Sequence, residues 1–320
     1  MQEILDDPRQ SLLDKISLDK ARVEFSESHI VLLCGGKVRF KERPEDEEPV
    51  RCSLRHAITH APPNFETFRP EDITDWHVDG LFKNLMSFEQ ELAGICSLVV
   101  IALESEGSIA ELGAFSQLPD LSQKIVAIKS RDFENDTNLA SFINLGILRF
   151  LRENKDSAVR NYPWTIASPH TIEDEVVQDV LKDISEVLDE IPKTAVFNPS
   201  LTTHIAVLLC ELVNIFVAVR ETEFAAYLEF FDIKISRDDL RRKLFLLERF
   251  GLLKKEVYSD ATFFMIGRYK FHRLRLSSKD ATIRIDAARV NVECLEYYQA
   301  DLKQRNRHRA ISQAVKGIQR

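Results

Sequence analysis

No apolar run in the 320 residues approaches the ~20 needed to cross a bilayer as a helix. No membrane partner is therefore expected. The opening "MQEILDDPRQSLLDK" is acidic and lacks the basic-then-apolar order of a secretory signal, so a cytoplasmic location is expected. There are only five cysteines, an odd number without a CxxC pair. This argues against a disulfide framework and a structural zinc site. Cys34 and Cys96 sit in apolar surroundings and read as small buried hydrophobes. His29, His56, His60 and His77 show no metal-ligand pairing, so no metal is expected. Internal repeats and low-complexity tracts are also missing.

What remains is the composition of a globular chain, 44% apolar and 29% charged, with length for two domains. The net charge of −8 is unevenly spread. Residues 232–320 carry 21 Lys/Arg against 11 Asp/Glu, and residues 1–231 carry 22 against 40. A basic C-terminal part on an acidic body predicts a polyanionic partner for that part.

"HIVLLCGG", "SLVVIAL" and "KIVAIK" read as buried strands. "RCSLRHAITHA", "LFKNLMSFEQELAGI" and "SIAELGAFSQL" read as helices, the second from apolar Leu81, Phe82, Leu85, Phe88, Leu92 and Ile95. "NFETFRPEDI" reads as a strand and loop, and "SFINLGILRFL" as a turn or short helix. Strands of this kind alternating with helices predict an α/β fold with an open parallel sheet. Ligands in such sheets bind beyond the carboxyl ends of the strands. Gly35-Gly36 and Gly107 mark two such ends.

Around this domain, expected at 29–165, residues 1–28 are expected to be helical and 166–219 to form a helical connector. From 220 to 285 the order is helix, helix, hairpin. Ser236 caps a helix through Arg249, Gly251 ends it, and "LLKKEVY" and "TFFMI" form two strands. This is the α+β winged-helix layout. Winged helices also serve protein contacts, but the charge contrast favours nucleic acid, so Arg237, Arg241 and Arg242 on the would-be recognition helix, with Lys254 and Lys255 on the wing, are the expected nucleic-acid contacts. Residues 286–320 read as one basic helix.

Ser108-Ile109-Ala110-Glu111 fits the S-x-x-E capping box, in which the glutamate does nothing more than close a helix end. The same residues lie where a parallel sheet presents its ligand, and Gly107 and Ser108 offer amides at a helix N-terminus. There Glu111 is placed to attack or stabilise the anomeric carbon of a ribose.

"LVVIALESEGSIAELGAF" resembles the nucleoside deoxyribosyltransferase-like group. "LLCGG", "RPEDI", "SEGSIAELGAF" and "SFINLG", followed by a winged helix, resemble the effector proteins of bacterial retrons, over roughly Ile30 to Leu151. The resemblance implies an N-glycosidase-type domain in anti-phage defence, working beside a reverse transcriptase and its RNA-linked single-stranded DNA. It implies NAD as substrate. Attack on NAD needs no metal, so no cofactor beyond it is expected. "LTTHIAVLLCELVNIFVAV" is apolar on most faces and is expected to be buried between domains or in an oligomer, and a homo-oligomer or larger assembly is expected.

Carried over by position, Glu111 is the catalytic carboxylate, Gly107 and Ser108 its phosphate- or ribose-binding turn, and Gly35 and Gly36 the opposing loop. The related transferases place an Asp before the turn; here Glu104 and Glu106 are the candidates, and the acid that assists the leaving base is unassigned. Glu71 and Asp72 could hold ribose hydroxyls, and Asn144 a substrate amide or hydroxyl. Two other readings stay open at this point. One is a nucleotide-sensing transcriptional regulator in which Glu111 is only a cap. The other is a transferase that exchanges bases between nucleosides.

Overall fold

The computed structural model describes residues 6–61, 63, 65–78, 80–134, 141–268, 271–280 and 282–318. Its helices are α1 (Pro8–Leu13), α2 (Leu54–His60), α3 (Leu85–Ile95), α4 (Glu106–Ser116), α5 (Pro119–Ser122), α6 (Arg149–Asn154), α7 (Asp174–Asp189), α8 (Thr202–Phe216), α9 (Glu221–Phe230), α10 (Arg237–Arg249), α11 (Ala287–Ala300) and α12 (Arg305–Ile318). Its strands are β1 (Ile16–Glu24), β2 (Ile30–Cys34), β3 (Glu66–Phe68), β4 (Leu98–Ala102), β5 (Ile125–Ser130), β6 (Val159–Tyr162), β7 (Thr194–Val196), β8 (Leu253–Tyr258), β9 (Ala261–Ile266) and β10 (Arg273–Ser278). The chain divides into two units, one of residues 28–79 and 83–192, the other of residues 1–27, 80–82 and 193–320.

The first unit is built on a five-stranded sheet in the order β3-β2-β4-β5-β6, every neighbouring pair parallel. Every residue of β2, β4 and β5 is buried, as strands covered on both faces require. From β2 the chain first builds outward to β3, then returns to β4 on the other side. The gap between β2 and β4 is thus the switch point at which such sheets bind ligands. Residues 174–189, expected in a connector, instead belong to this unit. Val176, Val177, Val180, Leu181, Ile184, Val187 and Leu188 recur at helical spacing and pack on the sheet beside Val31, Val100 and Val126.

In the second unit, β1 lies between β10 and β7, antiparallel to both. This corrects the helical expectation for residues 1–28: among the described residues 6–28 only α1 is helical, and a nine-residue strand follows. Ala21 and Val23 are buried on alternate positions, but the pairing partner lies some 250 residues on, beyond the reach of local pattern. Residues 221–266 give two helices and a hairpin in the expected order, with Ser236 capping α10 and Gly251 at φ 68° beyond its end. The C-terminal segment is two helices rather than one. Asp301 ends α11 and turns its side chain to the amide of Lys303, which breaks the run. Among the described residues, no helix is long and apolar enough to cross a membrane.

Candidate active site

The carboxyl ends of β2 and β4 carry the cluster, and Glu104 organises it. Its Oε1 accepts from the amides of Gly36 (3.0 Å) and Arg55 (3.0 Å), and its Oε2 from that of Leu54 (2.6 Å). One carboxylate therefore closes the start of α2 and fastens the β2–α2 loop to the end of β4. The closeness demands glycine: a Cβ on Gly36 would stand 2.7 Å from that of Ser53, and one on Gly35 3.0 Å from Glu104 Oε1. Gly35, Gly36 and Glu104, expected to touch substrate, are brought together as this clasp.

The capping expectation for Glu111 is overturned. Helix α4 begins at Glu106, and Ser105 is its N-cap. Ser105 Oγ accepts from the Ser108 amide at 3.1 Å, and Ser108 Oγ accepts in return from the Ser105 amide at 3.2 Å. Serine at both ends satisfies the reciprocal pattern, so the helix starts one turn earlier than S-x-x-E implies. Ser108 is fully buried and committed to this cap. Gly107 and Glu106 are exposed, with Gly107 N–H in the first turn, where no intrahelical acceptor exists.

Glu111, released from capping, is the sixth residue of α4 and mostly buried. Its Oε2 is closed off from solvent and has no hydrogen-bond partner among the described residues. Burial raises its pKa; Arg55 and a hydrogen bond from the Cys34 thiol pull it back, and Glu71 adds repulsion. Cys34, last residue of β2, is itself held well above the ordinary thiol range by burial and by Glu111. It is therefore a thiol donor beside a carboxylate rather than a nucleophile.

Two further residues complete the site, and neither was anticipated. Glu89 on α3 is 8% exposed. Burial, with repulsion from Glu111 and Glu71, pushes its carboxyl to about 7. Arg55 on α2 is 6% exposed and reaches Glu71 at 2.6 Å. A signal for Glu89 was present: it follows Phe88 and precedes Leu92 by three, on the face that α3 buries. The Arg55 guanidinium thus contacts Glu71 and acts through its charge on Glu89, Glu104 and Glu111. A pocket with excess buried carboxylate and divergent pKa values is the usual signature of acid–base chemistry.

The other expected residues lie apart from this chemistry. Asp72 is spent on Arg69, closing a single turn at Pro70–Asp72. Asn144 lies in a wide helical turn, Ile143–Leu148, and donates to the Phe133 carbonyl at 3.2 Å. Among the described residues, no three His, Cys, Asp or Glu side chains are grouped to hold a metal ion.

Of the five expected nucleic-acid contacts, four are paired within the chain. Arg237 and Arg241 both meet Glu221, at 3.0 and 2.8 Å. Arg242 meets Asp239, and Lys254 lies 3.6 Å from Glu256. Lys255 is exposed.

Fold and site together define a parallel α/β protein with a buried carboxylate cluster at its switch point, continuous in one chain with a helix–helix–hairpin unit. The chain belongs to the STM3845 retron effector protein family, whose profile matches residues 49–255. It is 33% identical over 135 residues, 41% of its length, to an Escherichia coli retron Ec86 protein whose name carries the terms ribosyltransferase and DNA-binding. A retron Ec73 protein of the same species, named in the same terms, is 30% identical over 80 residues, 25% of this chain. These matches span 40% and 24% of the two relatives' own lengths.

Proposed function

We propose that this retron effector acts in anti-phage defence by cleaving the N-glycosidic bond of a nucleotide, with NAD the first substrate to test. The observation that carries this reading is the pair of buried, mutually repelling carboxylates: Glu111 with one unpartnered oxygen, and Glu89 near neutrality. The terms in the relatives' names support glycosyl transfer and DNA binding as the class.

In the proposed reaction the C1′–N bond of the nicotinamide riboside breaks. Its electron pair passes to the pyridinium ring, which departs neutral. Ionised Glu111 meets the positive charge that develops on the ribose carbon, as glycosidic cleavage requires. Glu89 takes the proton of the water that adds at C1′. With a purine as leaving group, Glu89 would begin protonated and pass its proton to the departing ring nitrogen. A carboxyl near pKa 7 serves either duty. Arg55 and the Cys34 thiol hold negative charge on Glu111 against burial. The helix–helix–hairpin segment is read as a winged helix. The unit that contains it engages the reverse transcriptase and its RNA-linked single-stranded DNA, and these hold the enzyme in check within a larger assembly.

The test is release of nicotinamide from NAD, followed by chromatography, with the chain alone and with its retron partners. Glu111→Gln is expected to lower turnover by about 10⁴-fold or more. Glu89→Gln is expected to lower it about 10²–10³-fold and to remove the pH limb near 7. Undiminished turnover by a folded Glu111→Gln variant would overturn the assignment. Turnover that requires an added acceptor base would make the enzyme a transferase.

A further inference from the structure

Most of the residues expected to grip nucleic acid are a poor fit to that task, because Arg237, Arg241 and Arg242 on α10 and Lys254 on the wing carry their own counter-charges. Glu221 alone holds Arg237 and Arg241. A phosphate would have to displace carboxylates already at contact distance.

The three-stranded sheet of the same unit leaves more of its positive charge open: Arg275 has Glu24 at 3.5 Å, but Arg22, Arg273, Lys20 and Arg284 make no ion pair among the described residues. Leu274 and Ser278 on β10 point inward, so Arg273, Arg275 and Ser277 line the outer face. Arg275 stands directly across from Arg22 on β1. Like charges opposed across antiparallel strands destabilise a sheet, and an anion between them would relieve that. Arg273 and Arg275 also line a cleft of about 630 Å³ together with Lys20 and Arg284. Lys20 and Arg284 are exposed and make no ion pair among the described residues. Three acids share the cleft: Glu24 lies 3.5 Å from Arg275, Glu211 is buried near Arg273 and accepts from Asn214 and the Leu274 amide, and Asp280 accepts from Thr282; Lys20, Arg273, Arg275 and Arg284 outnumber them.

We propose that this outer face, Arg22 with Arg273 and Arg275 and the adjoining Lys20 and Arg284, binds the phosphate backbone of a DNA strand, and that α10 does not. The proposal rests on the nucleic-acid reading above and assigns its surface. Contacts of guanidinium to phosphate bring affinity and strong salt dependence with little sequence choice.

The experiment is fluorescence anisotropy of the full chain with a labelled single DNA strand of about 30 nucleotides, across about 50–200 mM salt. Arg273→Ala/Arg275→Ala is expected to bind at least about 10-fold more weakly at the low-salt end. Its log–log salt slope should be shallower by about 1.4, the loss of two contacts. Arg237→Ala/Arg241→Ala is expected to stay within about two-fold of the parent. Lys20→Ala/Arg284→Ala removes exposed, unpaired charges. It should also weaken binding, which keeps the test open if the first pair disturbs the sheet. Parent-like binding by both sheet-face variants, while the parent binds tightly, would overturn the proposal and leave the nucleic-acid reading standing. No salt-dependent binding by the parent would instead remove that reading, and the proposal with it.

Discussion

In the unit of residues 1–27 and 193–320, two guanidinium groups meet two carboxylates. Arg9 lies 2.6 Å from both Asp7 and Glu223, and Arg307, 2% exposed, meets the same oxygen of Glu223. Arg307 also donates to the Ala218 carbonyl at 2.9 Å and stacks over Phe263 and Tyr298, with Nε its one open nitrogen. Asp7 and Glu223 are held below the ordinary carboxyl range by these arginines in spite of burial. In the parallel-sheet unit, one guanidinium contacts Glu71 and is the positive charge acting on three further glutamates, and Glu89, Glu104 and Glu111 are all raised by burial. Buried charge is tolerated where it is balanced and hydrogen-bonded. The first cluster meets that condition and reads as architecture. The second departs from it, and such departures gather at sites of chemistry.

The contrast can be broken at Arg307. It is among the largest fully buried side chains, so Arg307→Ala both strands Glu223 against Arg9 alone and opens a void. A loss of about 3–5 kcal/mol in urea unfolding is expected. A loss below about 1 kcal/mol would show that the balanced cluster contributes little to stability.

The pH dependence sharpens the same contrast, since the two clusters have opposite sign. Asp7 and Glu223, depressed in the folded state, contribute stability that is present above the unfolded carboxyl values and lost as pH falls through the folded ones. Glu89 behaves in reverse. Held at about 7 rather than 4.5, it binds its proton more tightly when folded, so stability falls as pH rises from about 4.5 to 7. The full shift corresponds to about 3 kcal/mol. Glu89→Gln, which carries no charge to desolvate, is expected to flatten the unfolding free energy between pH 5 and pH 8 by about 2–3 kcal/mol. A parallel pH dependence in variant and parent would place the Glu89 carboxyl in solvent and remove it from the site.

The sheet was legible because β2, β4 and β5 are unbroken apolar runs, a pattern fully buried parallel strands share. Helix α10 was legible because Ser236 and Gly251 mark its ends by local chemistry. What stayed hidden depends on distant partners. β1 takes its conformation from β10, and the arginines of α10 lose their free charge to Glu221 on the preceding helix. Glu104, expected among the substrate-binding residues as a candidate for the carboxylate before the turn, holds three amides from two segments 49 to 68 residues upstream. Arg55 and Glu89 are single charges on otherwise ordinary helices, and only packing shows that both turn inward.

The start of α4 was misread for a different reason, and it yields the smallest effect. "SEGSIAE" holds two overlapping signatures, Ser105-x-x-Ser108 and Ser108-x-x-Glu111, and local chemistry permits either. The folded chain uses the first, which leaves Glu111 a full turn inside the helix with its carboxylate turned to the cluster. Ser105→Ala removes the side chain that accepts from the Ser108 amide and should cost about 1 kcal/mol, the usual price of a lost N-cap. Glu111→Gln should cost nothing of that kind, since no helix-end amide depends on it; relief of its desolvation would hold or raise the melting temperature. A melting temperature lowered by Glu111→Gln and unmoved by Ser105→Ala would return the glutamate to the cap and empty the site of its central residue.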